Sequence, residues 1–181
     1  SGDPRQKLPE QIPVYVPCQP GPVYHWKGVE WSGNQALSTI TLTSTLGLKP
    51  GDVADGMGIE TGWDRVREEY GQRGYLEVKL TPAVTYDDQA HAVSYTVSIT
   101  EGPVFHFNQM IITGMSLAGE RMIQEAWPVK QGDVFDKKAF TQFLTRLEIH
   151  RQTIFKDLPL HYDTVGHWLQ TDPAKSTVDV L

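Results

Sequence analysis

Six histidines, two Asp-x-x-Asp pairs and a group of three glycines are the residues of this 181-residue chain whose types invite a chemical reading. His25 and His106 would suit acid–base work or metal ligation, and the pairs Asp52/Asp55 and Asp133/Asp136 would suit coupled carboxylates. Gly56, Gly58 and Gly62 would suit a phosphate cradle at the start of a helix. Spacing argues against each. His25 and His106 recur at equivalent places of an internal repeat, so they do not converge on one site, and a structural role at a module junction is expected for both. His91, His150, His161 and His167 lack helical metal-ligand spacing and read as surface residues. The aspartates sit where turns and helix caps need them. The glycines depart from GxGxxG and follow a turn instead of a strand. Cys18, the only cysteine, excludes an internal disulfide and reads as a small inward-facing core residue. No catalytic residue, cofactor site or metal site is expected.

The repeat carries more information than any single residue. GPVYHWKGVEWSG (21–33) lies over GPVFHFNQMIITG (102–114) at an offset of 81, and without a gap GLKPGDVAD (47–55) lies over PVKQGDVFD (128–136). The pairing gives ten identities in 35 positions, against about two expected from ordinary residue frequencies. The same offset sets Val14, Val16 and Cys18 on the places of Tyr95, Val97 and Ile99, and sets Val178 and Val180 on the places of Val97 and Ile99. The expected organisation is residues 1–20 as the tail and last-strand remnant of a preceding module, then one module over 21–101 and another over 102–181. Six of the twelve prolines fall in the first 22 residues, which leaves a proline-rich linker as the other reading of the first segment.

Within a module the pattern can be read twice. Residues 23–31 and 104–112 are aromatic and β-branched and read as strands. ALSTITLTSTL (36–46) suggests a strand by its threonines, but its counterpart SLAGERMIQEAW (116–127) reads as a helix, and both copies are assigned as helix. The KPGD and KQGD turns precede a second helix capped by Asp55 or Asp136; its buried face carries Ile59, Trp63, Val66 and Tyr70 in one copy and Phe140, Phe143, Leu144, Leu147, Arg151 and Ile154 in the other, with Arg151 the one polar interruption. YLEVKLTPAVTY (75–86), an acidic turn at Asp87 and Asp88, and AVSYTVSI (92–99) form a hairpin. The expected fold is α+β: strand-helix-helix-strand-strand, with two helices packed on one face of a three-stranded mixed sheet.

Composition limits the partners. Sixteen Lys and Arg against 22 Asp and Glu give a net charge of −6, the wrong sign for a protein that neutralises phosphates, so nucleic acid is not expected as a partner. No apolar run approaches the roughly 18 residues that a membrane-spanning helix needs.

This element order, the length near 80, KPGD before the second helix, Arg73-Gly74-Tyr75 after it and Glu101-Gly102-Pro103 between copies resemble the POTRA (polypeptide-transport-associated) domains of BamA-like outer-membrane protein assembly factors. The resemblance covers essentially the whole chain; the second copy departs from it in having Ile154-Phe155-Lys156 in place of Arg-Gly-Tyr. It implies the periplasmic portion of a bacterial outer-membrane protein, also known as a bacterial surface antigen, that receives unfolded outer-membrane polypeptides and works with accessory periplasmic lipoproteins or chaperones and with its own C-terminal β-barrel. A two-partner secretion transporter and a structural interaction module of a division-type membrane protein are the alternatives. In this fold the strand after the second helix is the usual edge, and an extended client adds to an edge through backbone hydrogen bonds without being read for sequence. Pro82 and Pro159 fit edge placement. The expected client-binding edge is the proline-free stretch Leu76, Glu77, Val78, Lys79, Leu80 and Thr81, with Glu77 and Lys79 on its outer face limiting aggregation.

Overall fold

The computed structural model describes residues 20–149 and 166–181. In chain order it contains β1 (His25–Ser32), α1 (Thr39–Leu46), α2 (Gly56–Gly71), β2 (Lys79–Asp87), β3 (Ala92–Thr100), β4 (His106–Met110), α3 (Leu117–Ala126), α4 (Lys137–Ile149), β5 (Leu169–Asp172) and β6 (Thr177–Val180). The strands form two three-stranded sheets, β1-β3-β2 and β4-β6-β5. In each sheet the first strand lies parallel to the central strand and the remaining strand antiparallel to it. This is the α+β, strand-helix-helix-strand-strand architecture that the sequence leads one to expect, and it occurs twice. The readings placed on Val14, Val16, Cys18, Arg151, Ile154 and Pro159 fall outside the described residues, as do His150 and His161.

The threonine-rich stretch is a helix, and its ends show why. Ser38 Oγ accepts from the Thr41 N–H at 3.1 Å at the N-terminus, and Gly47, at φ 75°, closes the C-terminus. Arg65 of α2 reaches across to donate to the Thr45 and Leu46 carbonyls, which would otherwise end the helix unpaired. Leu42 and Leu46, one turn apart, are fully buried. Burial and capping together outweigh the low helix propensity of threonine, a few tenths of a kcal/mol, roughly, per residue.

The four aspartates are turn and cap residues. Asp55 Oδ2 accepts from Gly58 N–H at 2.9 Å, and Asp136 Oδ1 accepts from Lys138 and Ala139 N–H. Asp52 and Asp133 close the preceding turns by accepting from Lys49 and Lys130 N–H. Each turn then pairs with the first strand of its sheet. Trp26 donates to Asp52 O and accepts from Gly51 N–H; Phe107 does the same with Asp133 and Gly132. The outer edges of β1 and β4 are thereby partly covered.

The core of the first unit surrounds Trp63 of α2, which packs against Trp26 and Trp31 of β1 and Tyr95 of β3. Along β3, Val93, Val97 and Ile99 are buried at period two, as a strand with one covered face requires. The second core gathers Phe105, Phe107, Phe135, Phe140, Val178 and Val180, with Trp127 at its centre against Phe107 and Phe143.

The register of β6 corrects one sequence expectation. Trp26 pairs with Val93, whereas its counterpart Phe107 pairs with Val178. Val178 and Val180 therefore occupy the places of Val93 and Tyr95, not those of Val97 and Ile99, and the offset here is 85 instead of 81. The four extra residues lie between the helices and β6, where the ungapped repeat had no identities to fix the spacing. Because four is an even number, the same faces still point inward, and both valines are buried.

Candidate functional site

The expected edge residues divide between two structures. Lys79, Leu80 and Thr81 begin β2, but Leu76, Glu77 and Val78 precede it. Leu76 packs against the second core, Glu77 Oε1 accepts from Thr171 Oγ1 at 3.1 Å, and Val78 and Leu80 pack against the first core. The strand runs from Lys79 to Asp87 and includes Pro82, so the open edge extends further along the chain than expected. The cause is the turn at Gly74, which delivers Leu76 and Glu77 to the junction between the two units.

Strand parity identifies the open side of β2. His25 N–H donates to His91 O, so the odd-numbered residues of β3 bond towards β1 and the even-numbered ones towards β2. The register pairs even β3 residues with odd β2 residues, Thr81 with Ser98 and Ala83 with Thr96. The backbone groups of Leu80, Pro82, Val84 and Tyr86 consequently face away from the sheet. Pro82 costs the ladder nothing because its missing N–H lies on that open side. Leu80, Val84 and Tyr86 offer three free-facing donors in alternation, interrupted once. The Val84 and Tyr86 side chains lie on the face that carries the core, yet beyond the cover of the helices, 42% and 61% exposed. These two residues were missed in choosing a proline-free segment, although the apolar alternation through 80, 84 and 86 was a signal for them.

At the junction, Gly74 has φ +82° and its carbonyl accepts from Phe105 N–H at 2.9 Å. A Cβ at Gly74 would lie 2.9 Å from Phe105 O and from Val134 Cγ1, and 3.0 Å from Val104 Cγ1. The Arg-Gly-Tyr turn is thus held by the start of the next module. Glu101, just after β3, ties together parts of the first unit. Its Oε1 accepts from Gln35 N–H at 2.7 Å, Ala36 N–H at 2.9 Å and the Tyr70 hydroxyl at 2.9 Å. Burial, and then the bond to Glu101, hold the Tyr70 phenol well above the usual tyrosine range. Glu101→Ala is expected to cost about 2 to 3 kcal/mol by leaving these donors without their charged acceptor, while Glu101→Gln, which keeps an oxygen there, costs less than half of that. Urea unfolding of the two variants checks the order.

Among the described residues the histidines do not assemble a reactive centre. His25 and His106 make the same isolated bridge, to Val53 and Val134, and His25 Nδ1 is 3.0 Å from Gly51 O. His91 packs edge-on against Tyr24, and His167 against Phe140. Among the described residues no group of three or more His, Cys, Asp or Glu could hold a metal ion, and no helix is long and apolar enough to cross a membrane.

Two helix-covered mixed sheets, joined through the Gly74 turn and the bond of Thr171 to Glu77 and leaving a strand edge open, form a tandem α+β arrangement. Residues 24–102 match the POTRA family, described as surface antigen variable number repeat. Over these residues, less than half of the chain, the sequence is similar to a POTRA domain. A Treponema pallidum (strain Nichols) protein named as an outer membrane protein assembly factor is 29% identical over 127 residues, covering 70% of this chain and 15% of that relative. The chain thus spans about 15% of that relative's length. Among solved structures, POTRA domains 3–5 of Haemophilus influenzae BamA superpose with a TM-score of 0.69 at 16% identity, over 87% of this chain and 59% of that one. Haemophilus ducreyi BamA lacking POTRA domains 1–3 gives 0.65 at 17%, over 84% and 27%. At these identities the structural likeness is one of fold.

Proposed function

We propose that this chain is the region through which an outer-membrane β-barrel assembly protein receives unfolded outer-membrane polypeptides in the periplasm, by addition of an extended client strand to β2, for transfer to the barrel of the same protein. The modules proposed are 21–101 and 102–181. Accessory lipoproteins or chaperones complete the set of partners.

The observation that carries the reading is the asymmetry of the first sheet's two edges. The outer edge of β1 is partly occupied by the turn at Gly51 and Asp52, whereas β2 presents alternate donors at Leu80, Val84 and Tyr86 beside two exposed apolar side chains. Backbone donors give affinity for any extended chain, and the Val84 and Tyr86 side chains favour the apolar alternation of outer-membrane strands. Pro82 keeps the edge from pairing along its whole length, which limits self-association. Within the segment expected from sequence, Leu80 is retained as a client contact, while Leu76 and Glu77 are assigned to the junction.

Val84→Pro tests the reading, because it removes an outward donor without breaking the ladder to β3. Titration with extended peptides from outer-membrane strands, followed by backbone amide NMR, is expected to shift Leu80, Val84 and Tyr86 in the unmodified chain and to lose at least tenfold in affinity in the variant. Equal binding by both proteins sinks strand addition at β2.

A further inference from the structure

We infer that the surface formed by Val23, Tyr24 and Val53 is a socket for the turn after the second helix of another module of this kind, placed ahead of Gly21. The inference rests on the repetition of the module within this chain and not on client addition at β2.

The second module shows the socket filled. Its counterparts at the offset of 81, Val104, Phe105 and Val134, surround Gly74, and Phe105 N–H donates to the Gly74 carbonyl at 2.9 Å. The first module has the same socket backbone. Ala54 N–H donates to Tyr24 O as Phe135 N–H donates to Phe105 O, both at 2.9 Å, and Trp26 and Phe107 make equivalent bonds to Asp52 and Asp133. No described residue accepts from Tyr24 N–H, the counterpart of the donor that holds Gly74.

Exposure follows the same comparison. Pro22, Val23 and His25 are exposed where Pro103, Val104 and His106 are partly buried, and Tyr24 is partly buried where Phe105 is fully buried. Val23 is 58% exposed, whereas Val53 at 56% differs little from Val134 at 46%, so the contrast rests on Pro22, Val23, Tyr24 and His25. Two exposed valines flanking a backbone donor that has no acceptor among the described residues make a small apolar surface with one directional contact. Its occupant needs a carbonyl on a tight turn with no side chain in the way. A glycine in the left-handed region, as at Gly74, meets that requirement, since any Cβ there would strike the flanking valines.

The test duplicates residues 21–101 in place, so that the chain reads 1–101, then 21–101 again, then 102–181. Gly74 of the upstream copy then faces Val23, Tyr24 and Val53 of the downstream copy. Amide exchange by NMR is expected to give two Tyr24 signals, one protected at least a hundredfold more than in the 181-residue chain and similar to Phe105. Gly74→Val in the upstream copy, or Val53→Asp in the downstream copy, should return that signal to the faster rate, and retained Phe105 protection shows that the rest of the chain is folded. Two fast Tyr24 signals beside a protected Phe105 overturn the inference. So does Tyr24 protection in the unmodified chain, whether independent of concentration, which would indicate an occupant within the chain, or rising with concentration, which would indicate a second copy.

Discussion

Trp63→Ala is expected to destabilise the first module by about 3 to 5 kcal/mol, the cost of truncating a large buried aromatic. Trp63 is 1% exposed and packs on two strands: Trp26 and Trp31 of β1 and Tyr95 of β3 lie against it, with ring centroids 5.6 to 6.4 Å away. Removing the indole leaves a cavity bounded by rings that are themselves held in place. Trp26 is stacked on Tyr95 at 5.3 Å, and Trp31 Nε1 donates to Thr43 Oγ1 at 3.0 Å. Neither ring can collapse into the space without giving up a contact elsewhere. Urea denaturation followed by far-ultraviolet circular dichroism measures the loss, and Trp63→Phe should recover part of it. A loss below about 1 kcal/mol would mean that the core relaxes freely, contrary to this arrangement.

The second large effect is expected at the junction. Gly74→Val imposes a β-branched side chain on a residue at φ +82°, a strain of about 1 to 2 kcal/mol by itself, and places Cβ within 3.0 Å of Phe105 O, Val134 Cγ1 and Val104 Cγ1. A backbone oxygen cannot move aside as a flexible side-chain end can, so the turn must withdraw from the second module. The total cost is expected to reach about 2 to 4 kcal/mol. Phe105 N–H then loses its acceptor, and its amide exchange should accelerate while the amides of β3 stay protected. That contrast separates loosening of the junction from unfolding of the first module. An unchanged Phe105 amide would remove the Gly74 turn from the role assigned to it. Leu76 and Glu77 should follow the turn, since the packing of one on the second core and the bond of the other to Thr171 depend on the chain direction set at Gly74.

Much of this fold is legible in local patterns. The helix assignment of the threonine-rich segment came from its better-written second copy, and Ser38, Gly47 and Arg65 supply the local reasons. The aspartates at 52, 55, 133 and 136 could be read as turns and caps because such bonds span only two or three residues. Expectation and structure part where partners are distant in sequence. The β6 offset of 85 is fixed by pairing with β4, some 70 residues away, and the start of β2 is fixed by a turn whose carbonyl is held from the next module. Val84 and Tyr86 sit in a segment correctly expected to be a strand, but their exposure depends on how far the helices reach over the sheet.

By itself the sequence determined a module written twice, its order of elements, and the faces that turn inward, because periodicity and capping are local and each copy checks the other. Only the tertiary structure decided where the open edge begins and that the Arg-Gly-Tyr turn belongs to the junction. Those outcomes rest on hydrogen bonds and contacts between segments whose separation along the chain carries no periodic signal, so they exist only once the two sheets have formed and come together.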